Sequence, residues 1–428
     1  MGARDSITST NAPSIARNDT AILVAAQAVR TFGFAYLTII LPVHLSRLGF
    51  DAITIGIVLT ATIGGSAFLT FTLAIVADHI GRKKVLIILS LLTAISGVLY
   101  ASSVELLIIL VAAVIGGAGG PGAGIPGGGP YVAVHNALLA GKVSNEKRNK
   151  IFAISAGGSS LAAAAGSLFS GMSDILQIFP GFDDLGARTA LFILVAILGL
   201  CTAVILIPVR EVREHNQTRS ILPRRSLGTV GKLSLINGFD GLGTGFLCTP
   251  IVAYWFFVRF DVSLSVLGSF FFLFSLSTTL AYYIAVRLAH HWGSVNTIFF
   301  THMPSTLILF LLPFAPRFEV AAALLILRPM ISQIDVPLRQ SYMMAISDPE
   351  ERASVAGITG MAKTVPSAVS PPIAGYFIQN LTLALPFFAG GILQMISDTL
   401  FYAFFRKHKP PEELNRPKVA TKKRSLID

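Results

Sequence analysis

The sequence predicts an all-α integral membrane protein of twelve transmembrane helices, arranged as two pseudo-symmetric six-helix bundles. Three observations predict it. Of the 428 residues, 53% are hydrophobic and only 13% charged, with a mean hydropathy of +0.70, against roughly 25% charged residues in a soluble domain. Cutting the chain at charged or Pro/Gly-rich turns leaves twelve apolar runs, each near the roughly 20 residues that cross the hydrocarbon core. The second half of the chain also repeats the first. The runs are unbroken and do not alternate apolar with polar, which excludes a β-barrel.

The first run, 21–43, follows a polar segment, 1–20, with no apolar stretch and no cleavage pattern, so it is expected to act as its own insertion signal. Runs 53–77 and 85–104 flank the short charged turn Ala77-Asp78-His79-Ile80-Gly81-Arg82-Lys83-Lys84, which must therefore sit at a membrane face. Run 106–138 contains Gly117-Ala118-Gly119-Gly120-Pro121-Gly122, a formal GxGxxG. It has no strand before it and lies within a span, so a dinucleotide site is not expected. Small residues there let helices approach, and Pro121, Pro126 and Pro130 disturb the helix. Runs 151–173 and 189–208 complete a first bundle, 21–208. A charged central loop, 209–229, follows. Runs 230–258, 264–289, 295–315, 319–346, 353–378 and 381–405 make the second bundle, 230–405, and a basic tail, 406–428, ends the chain.

Three blocks of matches carry the repeat. Asp51 and Asp261 stand 210 residues apart, and the same offset pairs Phe50 with Phe260, Gly33 with Gly243, Gln27 with Asn237 and Arg30 with Asp240. Gly81 meets Gly293 at 212, and Glu146-Lys147-Arg148 meets Glu350-Glu351-Arg352 at 204, with Gly171 on Gly375 and His135 on Arg339. Blocks in the same order mark two homologous halves.

Basic residues set the orientation. With the amino terminus inside, the inner loops carry Arg82, Lys83, Lys84, Lys142, Lys147 and Arg148, besides the basic central loop and tail. The opposite loops hold only Arg47, Arg188, Arg259 and Arg317, beside acids such as Asp51, Glu105 and Asp174. This bias predicts a multi-pass protein of the plasma membrane with both termini cytoplasmic. It accounts for the net charge of +11 through an anionic leaflet rather than a nucleic acid, which is not expected as a partner. Cys201 and Cys248 both fall within spans, so neither a disulfide nor a metal site is implied, and the adjacent His290 and His291 cannot face one metal on a regular helix. No cofactor is expected. No catalytic constellation can be assembled either, so an enzyme is not expected.

The turn at 77–84 resembles the loop between the second and third helices of the major facilitator superfamily, Gly-x-x-x-Asp-Arg-x-Gly-Arg-Arg/Lys. Asp78, Gly81, Arg82 and Lys83 match, whereas Ala74 stands for the glycine and His79 for the first arginine. With the repeat, the central loop and the topology, the resemblance covers 21–405 but reaches no substrate subfamily. It implies a solute site near the bilayer midplane between the halves, and alternating access by rocking of one half on the other. It also implies gating roles for Asp78, Gly81, Arg82 and Lys83. The motif occurs in drug–proton antiporters and in uptake systems, so direction stays open.

Ionisable residues inside spans are functional candidates, because each costs at least about 2.5 kcal/mol at a helix centre. Six stand out: Arg30, Asp240, Arg328, Asp335, Lys363 and Asp398. At 1.5 Å per residue Arg30 lies about 13 Å into the first helix and Asp240 about 15 Å into the seventh, so the two are expected to find each other, the substrate or a proton. Arg328 precedes Pro329, where a kink is expected. Asp335 and Arg339 stand at i and i+4, either a gating pair or a satisfied helix pair. Lys363 either faces substrate or snorkels, and Asp398, near the inner end of the twelfth helix, is expected to have a structural partner. His135 is expected to be a gate or helix-end residue. Arg30, Arg328 and Lys363 against Asp240 and Asp335 favour an anionic or zwitterionic solute, with the acids as proton carriers. The resulting expectation is a monomeric, proton-coupled secondary transporter whose partners are a small solute, protons and the bilayer. The alternatives are a drug or metabolite–proton antiporter exporting hydrophobic compounds, and a non-transporting sensor, which would be expected to carry a sizeable soluble domain.

Overall fold

The computed structural model describes residues 12–117, 129–143, 145–211, 226–348 and 351–407. The first half comprises α1 (Ala12–Arg47), α2 (Ala52–Ile80), α3 (Arg82–Ser102), α4 (Leu106–Gly117), α5 (Pro130–Ala140), α6 (Asn145–Phe169), the short α7 (Met172–Leu176) and α8 (Asp184–Leu206). The second comprises α9 (Leu227–Phe246), α10 (Thr249–Phe260), α11 (Leu264–Trp292), α12 (Ser294–Leu311), a 3-10 turn Leu312–Phe314, α13 (Phe318–Ser332), α14 (Asp335–Ile346), α15 (Arg352–Asn380) and α16 (Leu385–Phe405). Among the described residues, nine helical stretches are long and apolar enough to cross a membrane. Of the other predicted runs, 319–346 is divided into the shorter α13 and α14, and α15 carries Pro366, Pro371 and Pro372, while residues 118–128 of run 106–138 lie outside the described ones.

Two of the predicted runs are broken helices. Run 230–258 divides at Leu247 and Cys248, because Pro250 lacks an N–H and suits the first turn of a new helix, α10. Run 319–346 does more than kink at Pro329. α13 ends at Ser332, and α14 restarts with Asp335 in its first turn, where a carboxylate faces the positive helix end. The repeat is visible in the backbone. Gly81, between α2 and α3, has φ 106°, and its counterpart Gly293, between α11 and α12, has φ 79°, a region that favours glycine. Asp51 and Asp261 have diverged. Asp51 caps α2 by accepting from the Thr54 amide at 2.9 Å, whereas Asp261 closes α10 in the left-handed region at φ 49°.

The halves meet at the face opposite the 81–84 turn. Gly56 of α2 touches the α15 backbone so closely that a Cβ there would stand 2.4 Å from the Pro371 carbonyl oxygen, and Gly375 of α15 lies equally close to Ala52. Thr60 donates to the Ala368 carbonyl at 2.6 Å, and Gln379 donates to Asp51 at 3.2 Å. Across the other seam, Ser170 donates to the Leu264 carbonyl at 3.3 Å. Toward the basic face the pattern reverses. A Cβ added at Gly64, Gly157, Gly357 or Gly360 would meet nothing within 4 Å. The close backbone contacts between α2 and α15 thus lie at one end, and these glycines toward the other end face open space.

Candidate functional site

Gly241 positions the central feature. With no side chain, it lets α9 close on α15 until a Cβ would lie against the Lys363 carbonyl. The preceding residue, Asp240, is thereby set against Lys363, and its Oδ2 stands 2.6 Å from Nζ. Asp240 is 8% exposed, while 29% of the Lys363 side chain remains exposed. The expected pairing of Arg30 with Asp240 is therefore not what the structure contains. Equal depth placed them at one level, but Arg30 turns into its own bundle, where its guanidinium lies 4.2 Å from the Tyr131 ring centroid and 5.0 Å from that of Phe34.

A second cluster lies deeper in the same half. Arg339 on α14 bridges Asp335 at 3.1 Å, as the i, i+4 spacing predicts, and Asp398 of α16 at 3.1 Å. The other oxygen of Asp398 stands 2.6 Å from Nδ1 of His302 on α12. The Arg339 guanidinium also lies 4.9 Å from the Phe401 ring centroid. Beside it, Arg328 donates to Gln394 at 2.8 Å. Asp398 is 1% exposed, so its expected structural partners are Arg339 and His302. Three acids, Asp240, Asp335 and Asp398, thus stand among three basic side chains, Lys363, Arg328 and Arg339, with His302 against Asp398.

The first half is built differently at the same positions. Tyr131 occupies the place equivalent to Asp335, offset by 204, and Ser90 the place equivalent to His302, offset by 212. His135, matched to Arg339, ties α5 to α1 through the Leu23 carbonyl at 3.1 Å and is 1% exposed. It is a packing residue between two helices rather than a free helix-end group.

Of the gating candidates, the Asp78 side chain lies outside the described residues. Gly81 provides the left-handed junction, and Arg82 donates to the Ala137 carbonyl at 3.2 Å. The Lys83 ammonium donates to the Ile207 carbonyl at 2.6 Å, and its amide to Glu211 at 3.2 Å. These contacts bind the turn to α5 and the end of α8, within the first half. His302, Gln394, Tyr131 and Glu211 were not singled out by sequence. Counting histidine among ionisable residues inside spans would have found His302. Among the described residues no group of three or more His, Cys, Asp or Glu is placed to hold a metal ion.

The family pattern of the Major Facilitator Superfamily matches residues 23–334 and 233–427. An uncharacterized membrane protein of Saccharomyces cerevisiae is 23% identical over 426 residues, covering 91% of this chain and 94% of the relative. The nucleoside transporter NupG shares the fold at TM-score 0.70 and 16% identity, with 91% of this chain and 98% of that one covered. A bacterial homolog of the human lysosomal transporter Spinster, inward-facing and unoccupied, aligns at TM-score 0.68 and 14% identity, over 91% and 96% of the two chains.

Proposed function

Because this chain belongs to the Major Facilitator Superfamily, we propose that it is a secondary active transporter, moving a small organic solute by alternating access in exchange or in company with protons. The observation that carries this reading is the bridge from Asp240 to Lys363. It joins a buried carboxylate on α9 to a partly exposed amine on α15, a helix that also packs on the first half through α2. An amine that reaches open space can change partners. A solute carrying an anionic group draws Lys363 away, and a carboxylate left alone in a poorly polar interior takes up a proton. The reading therefore favours anionic or zwitterionic solutes. Arg328 and Asp335 flank the same region and supply further contacts as the halves move.

The end away from the close α2–α15 contacts carries the 81–84 turn. The excess of Arg and Lys there supports a cytoplasmic assignment of that face and of both termini, and a plasma-membrane location. On that assignment the conformation is open inward, with segments 21–208 and 230–405 as the rocking units of a monomer. Gly81, Arg82 and Lys83, with Asp78, then form a rigid corner of the first half against which the second half closes.

Flux of a panel of organic acids and amino acids into proteoliposomes, with and without a pH gradient, tests the reading. Wild-type protein is expected to accumulate its solute only with the gradient. Asp240→Asn is expected to lose that dependence yet keep solute exchange. Unaltered coupling in the variant overturns the role given to the bridge.

A further inference from the structure

We propose that Asp174 latches the two halves together at the face opposite the 81–84 turn, as a helix cap that one half supplies to the other. The inference rests on the alternating-access reading above and names what holds one of its two states. α11 has no acid in its own first turn. The Ser265 amide, one of the donors that a helix leaves unpaired at its start, donates to Oδ2 of Asp174 on α7 at 2.7 Å. That carboxylate belongs to the first half and the helix to the second. Asp184, by contrast, is held within its own half by Arg47 and Arg188.

Close backbone contact brings the cap within reach. A Cβ added at Gly171 would stand 2.8 Å from the Ser265 Cα, and one at Gly268 would stand 2.6 Å from the Ser167 carbonyl oxygen. Ser265 Oγ donates back to the Gly171 carbonyl at 3.2 Å. Further along α6 and α11, Ser160 and Thr279 join hydroxyl to hydroxyl. The repeat supplies a comparison. Ile53 stands to α2 as Ser265 stands to α11, 212 residues apart, and its amide also donates across the halves, to Oε1 of Gln379 at 3.3 Å. There the acceptor is a neutral amide at a longer distance, and α2 keeps its own cap in Asp51. At α11 the acceptor is a carboxylate, the group that the positive end of a helix favours. The apolar cluster shared by the halves packs beside both seams without direction. The cap adds a bond that is lost once α7 and α11 part, so its strength enters directly into the balance between the two states.

The test follows a single cysteine, Thr279→Cys, below the seam, in protein carrying Cys201→Ala and Cys248→Ala and reconstituted in sealed vesicles. A thiol reagent that does not cross the membrane is added on the side that carries Asp51. Labelling from that side requires the seam to part, and its rate follows the open fraction. Asp174→Ala is expected to raise the rate about 5- to 30-fold. Asp174→Asn, which keeps an oxygen for the Ser265 amide but not the carboxylate, is expected to raise it about 2- to 5-fold. Gln379→Ala is expected to have a smaller effect than Asp174→Ala. The control is Asp183→Ala, which removes the cap that Asp183 gives the Gly186 amide of its own half at 2.7 Å. It is expected to lower the unfolding temperature and leave the labelling rate unchanged. Labelling that is absent or equal in wild type and Asp174→Ala, or a rate raised as much by Asp183→Ala, overturns the latch. Labelling is read without solute, so it stands apart from the flux assay above, whose failure overturns the transport reading alone.

Discussion

The two halves share a backbone plan but not a charge plan. In the second, every permanent buried cation named above has an acid or an amide beside it: Lys363 with Asp240, Arg339 with Asp335 and Asp398, Arg328 with Gln394. In the first, the equivalent positions hold one cation, Arg30, between aromatic rings, and no acid. Duplication preserved the helices, while the ion chemistry was retained or acquired on one side only. A half whose charges interlock can change protonation state and rearrange. In the first half the buried ion pairs, Asp19 with Lys142 and Arg188 with Asp184, involve none of the positions equivalent to that network.

The sharpest way to break this comparison is to remove an acid from the interlocked side. Asp398→Ala leaves His302 without its carboxylate and Arg339 with Asp335 alone, and is expected to cost about 3–5 kcal/mol, as for one partner of a buried ion pair. Arg30→Met, which keeps an apolar side chain against Tyr131 and Phe34, is expected to leave stability unchanged or raise it. Thermal unfolding of the two variants checks both, and equal losses would erase the contrast between the halves.

A smaller effect is expected at the seal. Gly56→Ala drives a methyl into the Pro371 carbonyl and is expected to cost about 1–3 kcal/mol, whereas Gly360→Ala, facing open space, should change stability by less than about 0.5 kcal/mol. Labelling of a cysteine at Thr60 should rise in the first variant and not in the second.

The smallest effect is expected at the diverged aspartates. Asp51→Ala removes the cap of α2 and should cost about 1 kcal/mol near neutral pH. Bonds from Thr54 hold the Asp51 carboxyl below the usual carboxylate range. Its contribution is therefore present above the pKa of the unfolded chain and lost as pH falls through the folded value, so the difference between wild type and variant should shrink on acidification. Asp261→Ala removes no helix-capping bond, and its cost at neutral pH should be smaller than that of Asp51→Ala.

Much of the fold was legible because membrane insertion leaves few choices. Apolar runs such as 85–104 must be helices, and a turn such as 81–84 can only lie at a face. The breaks at 247–248 and 333–334 were less legible. A proline marks a disturbance but does not say whether a helix bends or restarts, and Pro329 and Pro250 did the latter. Within the site, Asp335 and Arg339 could be paired because both lie on one helix, where spacing fixes geometry. Arg30 and Asp240 could not, because depth along two helices says nothing of the direction each side chain takes around its own axis. That direction was decided by Gly241, which drew α15 and Lys363 onto Asp240, and by Tyr131, which offered Arg30 a face to lie on.

The contact of Gly56 with α15 and of Gly375 with α2 has a kinetic consequence. Two surfaces without side chains slide past each other with no rotamers to melt and refreeze, so parting them carries little of the entropic toll that interdigitated chains impose. Along that line the hydrogen bonds from Thr60 to Ala368, from the Ile53 amide to Gln379 and from Gln379 to Asp51 can pass to entering water, while side chains of both halves such as Tyr36, Tyr254 and Phe270 stay packed in one cluster beside it. Such a seal is expected to give first along the glycine line and last where those side chains interdigitate.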